Sequence, residues 1–318
     1  MPGVVLTQRI TLFTEFVYGT QNNDDMAGIE ADIPKIVEVN QGLFISGLFR
    51  NLGSNTLAAA DFNYRVNGGN VVSTVSAGNL PVATGAYKTL SSSTQWTPSS
   101  DGKYEIEMWM SQLNGSADGD NSNDTIKLDV YATSNPPNRK VVIEERTGTW
   151  CQWCPRGTVS MEIMSRERHN STVLIAVHNA DPMALPAYDP NLSGGFPTFT
   201  GDRIFSEQSI SSDASNMKKF DDERQKLVPE ASVKITNLNY NSGTGALAVD
   251  MESEFVVDAP NSDYRYVVVL TEDGVTGTSG GYAQVNAYSG SSQLTLVGPD
   301  GRVLYPATKS HSGKSNGL

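Results

Sequence analysis

Apolar and polar residues alternate with period two through most of the first 133 positions, in short runs separated by turn residues. Phe62, Tyr64 and Val66 alternate just ahead of Asn67-Gly68-Gly69, a strong hairpin signal. Tyr104, Ile106, Met108 and Met110 mark one face of a strand and Glu105 and Glu107 the other; Ile126, Leu128 and Val130 repeat the pattern. Leu43 to Phe49 is apolar on both faces, as in a strand sandwiched between layers. Strands of this length and spacing predict an immunoglobulin-like β-sandwich over residues 1–137. Ser134-Asn135-Pro136-Pro137-Asn138 breaks the pattern and reads as a linker.

The periodicity then changes. A β-branched run, Val141 to Ile143, is followed by a Thr147-Gly148-Thr149 turn. Val159, Ile163 and Met164 then share one helical face. Thr172 to Val177 reads as a buried parallel strand. Asp181 to Gly195 holds prolines and glycines and reads as a loop, and Ala214, Met217, Phe220 and Leu227 mark a second helix. These elements predict an α/β domain over 138–229. From 230 to 318 alternation returns at Val233 and Ile235 and at Leu247, Val249 and Met251, with Tyr266 to Leu270 expected as a central strand and a loose tail at the end. The fold class expected is therefore α+β and multidomain: β-sandwich, α/β domain, β-rich domain.

Composition narrows the function classes. The 318 residues carry a formal net charge of −12, which repels nucleic acid and an anionic membrane surface. No apolar run approaches the roughly 20 residues of a spanning helix. Met1 to Leu6 lacks the basic start and long apolar core of a signal peptide, which by itself reads as a cytosolic protein.

The chain has two cysteines, Cys151 and Cys154, placed between a predicted strand and a predicted helix. Strand, turn, Cys-x-x-Cys, helix is the setting of a redox motif. Unpaired N–H groups and the positive end of the helix dipole favour the thiolate there. A structural staple, a zinc site and a scaffold that no longer reacts are the alternatives. The uncharged Gln152-Trp153 pair adds no further thiolate stabilisation. Trp150 and Trp153 flank the motif as an apolar platform for a polypeptide, Arg156 stands ready to support the Cys151 thiolate, and His178 is a further candidate.

Trp150 before Cys151, Glu145 six residues upstream and Phe196-Pro197-Thr198-Phe199 downstream together resemble thioredoxins. The resemblance implies a central thioredoxin-like domain in which Cys151 is the exposed attacking thiol and Cys154 the buried resolving one. It implies that Glu145 relays protons to Cys154, and that Pro197, in the cis form with Thr198 after it, offers a backbone edge to substrate. Glu144 to Gly157, His178 to Met183, Gly195 to Arg203 and Tyr282 to Gly290 further resemble the outer membrane protein family of the twenty-eight-kilodalton type and its secreted relatives. Arg146 departs from that pattern, as does the stretch after Gly298. The resemblance implies a cell-envelope (outer-membrane-associated or periplasmic) or secreted protein, and with it a mature or trimmed chain with a replaced start in place of a cytosolic one. Its expected activity is thiol–disulfide exchange on polypeptides, with a redox-active disulfide and no other cofactor; the alternative is a surface interaction or adhesion protein. In the acidic run Asn114 to Asp124, Asp118, Asp120 and Asp124 have the oxygen chemistry of a calcium loop, with a solvated turn as the alternative.

Overall fold

The computed structural model describes residues 21–76, 80–188, 194–204, 208–258 and 263–288, with the backbone of 296–297 and 303–305. The expectations for Met1 to Leu6 and for the terminal tail lie outside these residues. Contacts divide the chain into two compact units, 1–134 and 135–318.

In the first unit, alternation becomes two sheets. β1 (Met26–Ala31), β3 (Leu43–Asn51) and β6 (Tyr87–Trp96) form one, in the order β1-β3-β6. β2 (Ile36–Glu38), β4 (Ala60–Val66), β5 (Val72–Ser76), β7 (Gly102–Ser111) and β8 (Ile126–Thr133) form the other, in the order β2-β8-β7-β4-β5. Their inner faces share one core that includes Ile45, Phe49, Phe62, Ile106 and Met108, and Phe49 and Phe62 meet edge to face at 6.0 Å. Gly47 permits close approach of the sheets, since a Cβ there would lie 2.8 Å from Met108 Sδ. The polar Asn51 is buried but satisfied: Nδ2 donates to Asn55 O and Val82 O, and Oδ1 accepts from Gly53 N. Glu107, expected on a wet face, is covered by Arg65 and Lys127, which pair with it.

In the second unit, β9 (Val141–Thr147) leads to α1 (Pro155–Glu167) and then to β10 (Thr172–His178), parallel to β9. β11 (Thr198–Gly201) pairs antiparallel on the other side of β9, and β12 (Gln208–Ser209) pairs with β11. α2 (Ser215–Gln225) follows, and Val141, Ile143, Val159, Met164, Phe199, Met217 and Phe220 share one core. A hairpin, β13 (Ala231–Asn241) and β14 (Ala246–Phe255), and the short pair β15 (Leu296–Val297) and β16 (Val303–Tyr305) complete the strands.

The expected fold class is corrected by this architecture. Strand far outweighs helix, and α1 and α2 are the two α-helices among the described residues. The expected central thioredoxin-like α/β domain is replaced by a small mixed sheet within a mainly β chain. The physical reason is the shortage of helix-forming sequence. Residues 179–188 and 194–197, with Pro182, Pro186 and Pro197, run as turns and loop instead of building a helical layer. Tyr266 to Leu270, expected as a central strand, has no strand pairing and lies exposed. Its Val-rich composition favours a pleated surface, but no edge among the described residues takes it up.

Candidate functional site

β9 ends at Thr147, and the turn that follows carries the cysteines to the start of α1. Cys151 N–H donates to Gly148 O (3.0 Å) and Cys154 N–H to Cys151 O (3.2 Å). Cys154 occupies the N-cap, with Pro155 opening the helix, where a missing N–H is no loss. The two cysteines form a disulfide.

Cys151 is 5% exposed and Cys154 fully buried, which corrects the expectation of an exposed attacking sulfur. The cover is a distant part of the same unit. A 3-10 turn at Gly280–Tyr282 leads into a strap that ends at Tyr288. Val285 N–H donates to Thr149 O (2.7 Å) and Ala287 N–H to Gln152 O (2.8 Å). Gln284 Nε2 donates to Cys151 O (2.9 Å), and Thr149 Oγ1 donates to Gly281 O (2.7 Å). Tyr288 packs edge to face on Trp153 at 5.7 Å.

Both tryptophans stay about half exposed. Trp150 Nε1 donates to Asn179 O (2.7 Å), and its ring meets Phe196 at 5.0 Å. The Phe196–Pro197 peptide is cis. Arg146, the departure noted in the sequence, lies 4.5 Å over the Phe196 ring and braces this corner. The Thr198 hydroxyl is taken by Gly195 O (2.8 Å). Arg156, expected to support a Cys151 thiolate, lies near enough to Tyr288 to act on its hydroxyl electrostatically, and its Nε has no hydrogen-bond partner.

Glu145 is buried at the heart of the site, and its Oε1 has no hydrogen-bond partner. Gly157, in the first turn of α1, makes room for it: a Cβ there would collide with Glu145 Oε1 and stand 3.2 Å from Pro197. The carboxyl thus lies beneath the helix turn that Cys154 caps. Burial pushes it up to about 8, so near neutral pH it carries a proton.

Three residues that matter were not picked from sequence. Asp181 accepts from Thr149 N (2.9 Å) and pairs with His178 Nδ1 (2.7 Å), bracing the cysteine turn. Gln284 and Tyr288 form the strap. All three fall in stretches singled out by family resemblance, but no local spacing ties them to the cysteines. Asp118, Asp120 and Asp124 lie in the first unit, in the connection between β7 and β8. As placed, the described residues contain no group of three or more His, Cys, Asp or Glu ready to hold a metal. Among them, no helix is long and apolar enough to cross a membrane.

No family model and no curated protein matches this chain. Among solved structures it is similar to the CARDB domain of a Pyrococcus furiosus protein in complex with di-metal ions, with 21% identity over 36% of this chain and 97% of that one and a TM-score of 0.29. It is similar also to a domain of a Methanosarcina acetivorans protein assigned to the cell surface (15% identity, 35% and 94% coverage, TM-score 0.28). A β-glucosidase from Listeria innocua matches at 11% identity, over 40% of this chain and 19% of the enzyme, with a TM-score of 0.23. At these TM-scores the likenesses carry no argument about fold or function.

Proposed function

We propose that the Cys151–Cys154 site performs thiol–disulfide exchange on polypeptides in the cell envelope or outside the cell. The observation that carries this reading is the disulfide at the start of α1 with a protonated, buried Glu145 beneath the same helix turn. A substrate thiolate attacks Cys151 Sγ, the Cys151–Cys154 bond breaks, and the Cys154 sulfur leaves as a thiolate next to the helix N–H groups. Glu145 supplies the proton that neutralises it. A second substrate thiolate attacks the mixed disulfide on the substrate side and releases Cys151, which takes up a proton from solvent. Two substrate thiols become one disulfide, and the site becomes two thiols. Run backwards, the same steps reduce a substrate disulfide.

A polypeptide suits the site because Thr149 O and Gln152 O already accept two backbone N–H groups from the strap, at alternate residues. An incoming extended chain can offer the same donors once the strap moves aside. An oxidising compartment keeps such a disulfide closed. The resemblance to the twenty-eight-kilodalton outer membrane family supports the same location.

A second reading, a surface interaction protein with an inert disulfide, is favoured by one observation. Val233, Ile235, Leu238 and Tyr240 of the β13–β14 hairpin are each more than half exposed, and such a stretch is suited to a partner. Reduction of insulin by dithiothreitol separates the two. Exchange requires the wild-type chain to accelerate precipitation and Cys151→Ser to be inert. Equal rates for both proteins sink the exchange reading and leave the interaction reading.

A further inference from the structure

In the first unit the connection between β7 and β8 folds against the entry to β1. Gly119 N–H donates to Asp24 O (2.9 Å), Met26 N–H to Asp118 Oδ2 (3.0 Å) and Gly28 N–H to Asn123 O (2.9 Å). This pairing sets the stretch from Asp118 to Asp124 against Asp25, and within it Asp120 N–H donates to Asp118 Oδ1 (2.9 Å). None of the ion pairs among the described residues involves these four. Asp124 is 4% exposed, and its Oδ1 has no hydrogen-bond partner. The adjacent Asn123 Oδ1 is a second buried oxygen without a donor, while Asn123 Nδ2 faces Asp25 Oδ1 at 3.4 Å. Both orphan atoms are pure acceptors, and buried acceptors are ordinarily satisfied.

We propose that this loop binds calcium, with Asp124 Oδ1, Asn123 Oδ1 and the Asp118 carboxylate as protein ligands and Asp25 and Asp120 adding negative charge. Calcium takes six to eight oxygens in flexible geometry, amide and backbone oxygens and water included. A ready set of three acids is therefore not needed, which reconciles the site with the absence of one in the loop as it stands. Magnesium, which demands tight octahedral geometry, fits poorly. The alternative to a cation is a proton shared between Asp124 and Asp118. The site is independent of the cysteines.

The test uses the full chain at about pH 7.5, titrated calorimetrically with calcium chloride and melted with and without about 5 mM calcium, a range suited to extracellular calcium modules. The expected result is saturable binding with a dissociation constant of about 0.1–1 mM and a higher melting temperature. Magnesium chloride should give much less of both. Asp124→Asn should fold and lose most of the calcium response, and Asp118→Asn should weaken it. No calcium heat and no shift in the wild type, with melting raised instead by lowering the pH, means a shared proton and overturns the proposal. A calcium response that survives in Asp124→Asn overturns it as well.

Discussion

At the scale of the residue, Glu145 and Gly157 make one device. The Glu145 carboxyl is pushed up to about 8 by burial, against about 4.3 in an unfolded chain. The folded state therefore binds this proton more tightly than the unfolded one. Its contribution to stability is fully present below about pH 4 and is lost as the pH rises through about 8. The wild-type melting temperature should fall across that window, and Glu145→Gln should remove that part of the slope. Parallel melting curves for the two proteins from pH 5 to pH 8 (roughly the span between those two values) would falsify the assignment. Gly157→Ala tests the notch directly. The added methyl meets Glu145 Oε1, so a loss of about 1–3 kcal/mol is expected in urea denaturation. Exchange should slow too, because the carboxyl must shift from under Cys154. In the exchange cycle, Cys154→Ala should leave a Cys151 that captures substrate disulfides and cannot release them. Non-reducing gels read this, and absence of mixed disulfides with reduced, strap-released protein argues for the inert alternative.

At the scale of the element, the strap from Gly281 to Tyr288 governs access to the sulfurs. It is held by five hydrogen bonds to the cysteine turn, two of them from Gln284 Nε2, and by the Tyr288 ring on Trp153. Each hydrogen bond contributes about 0.5–1.5 kcal/mol, so loss of one donor together with the aromatic contact is enough for roughly tenfold more open strap. Gln284→Ala combined with Tyr288→Ala should speed alkylation of the reduced cysteines by about that factor. Unchanged alkylation would mean that the strap opens freely or does not shield the site. The same element explains the mixed character of the site. Its tryptophans are available to a partner while its cysteines are not.

At the scale of the whole molecule, the division at Ser134 and Asn135 follows from composition. Proline and polar residues end β8, and neither Pro136 nor Pro137 can donate to a ladder. Limited proteolysis should cut first near 134–138 and release two fragments, followed by mass spectrometry to place the cut. Early cleavage within β3 or β7 instead, before any cut near 134–138, contradicts the two-unit division.

Much of this was written locally in the chain. Period-two alternation at Phe62 to Val66 and Tyr104 to Met110, the Asn67-Gly68 turn, the helical face of Val159, Ile163 and Met164 and the position of Cys151 and Cys154 between strand and helix all depend on neighbours a few residues apart. Backbone geometry imposes those periods, so they are legible without a fold. The balance of strand to helix is not legible in this way, because a local strand-turn-helix motif does not fix the extent of the domain around it. Only tertiary contacts decided how far helix extends and which apolar runs find an edge. Tyr266 to Leu270 has strand composition and no strand partner among the described residues. Burial of Cys151 depends on Gln284, 133 positions away, and the acidic loop gains Asp25 from β1's entry, 98 positions from Asn123. Such pairings depend on the closure of long loops and on which surfaces exclude water, and no local pattern encodes either.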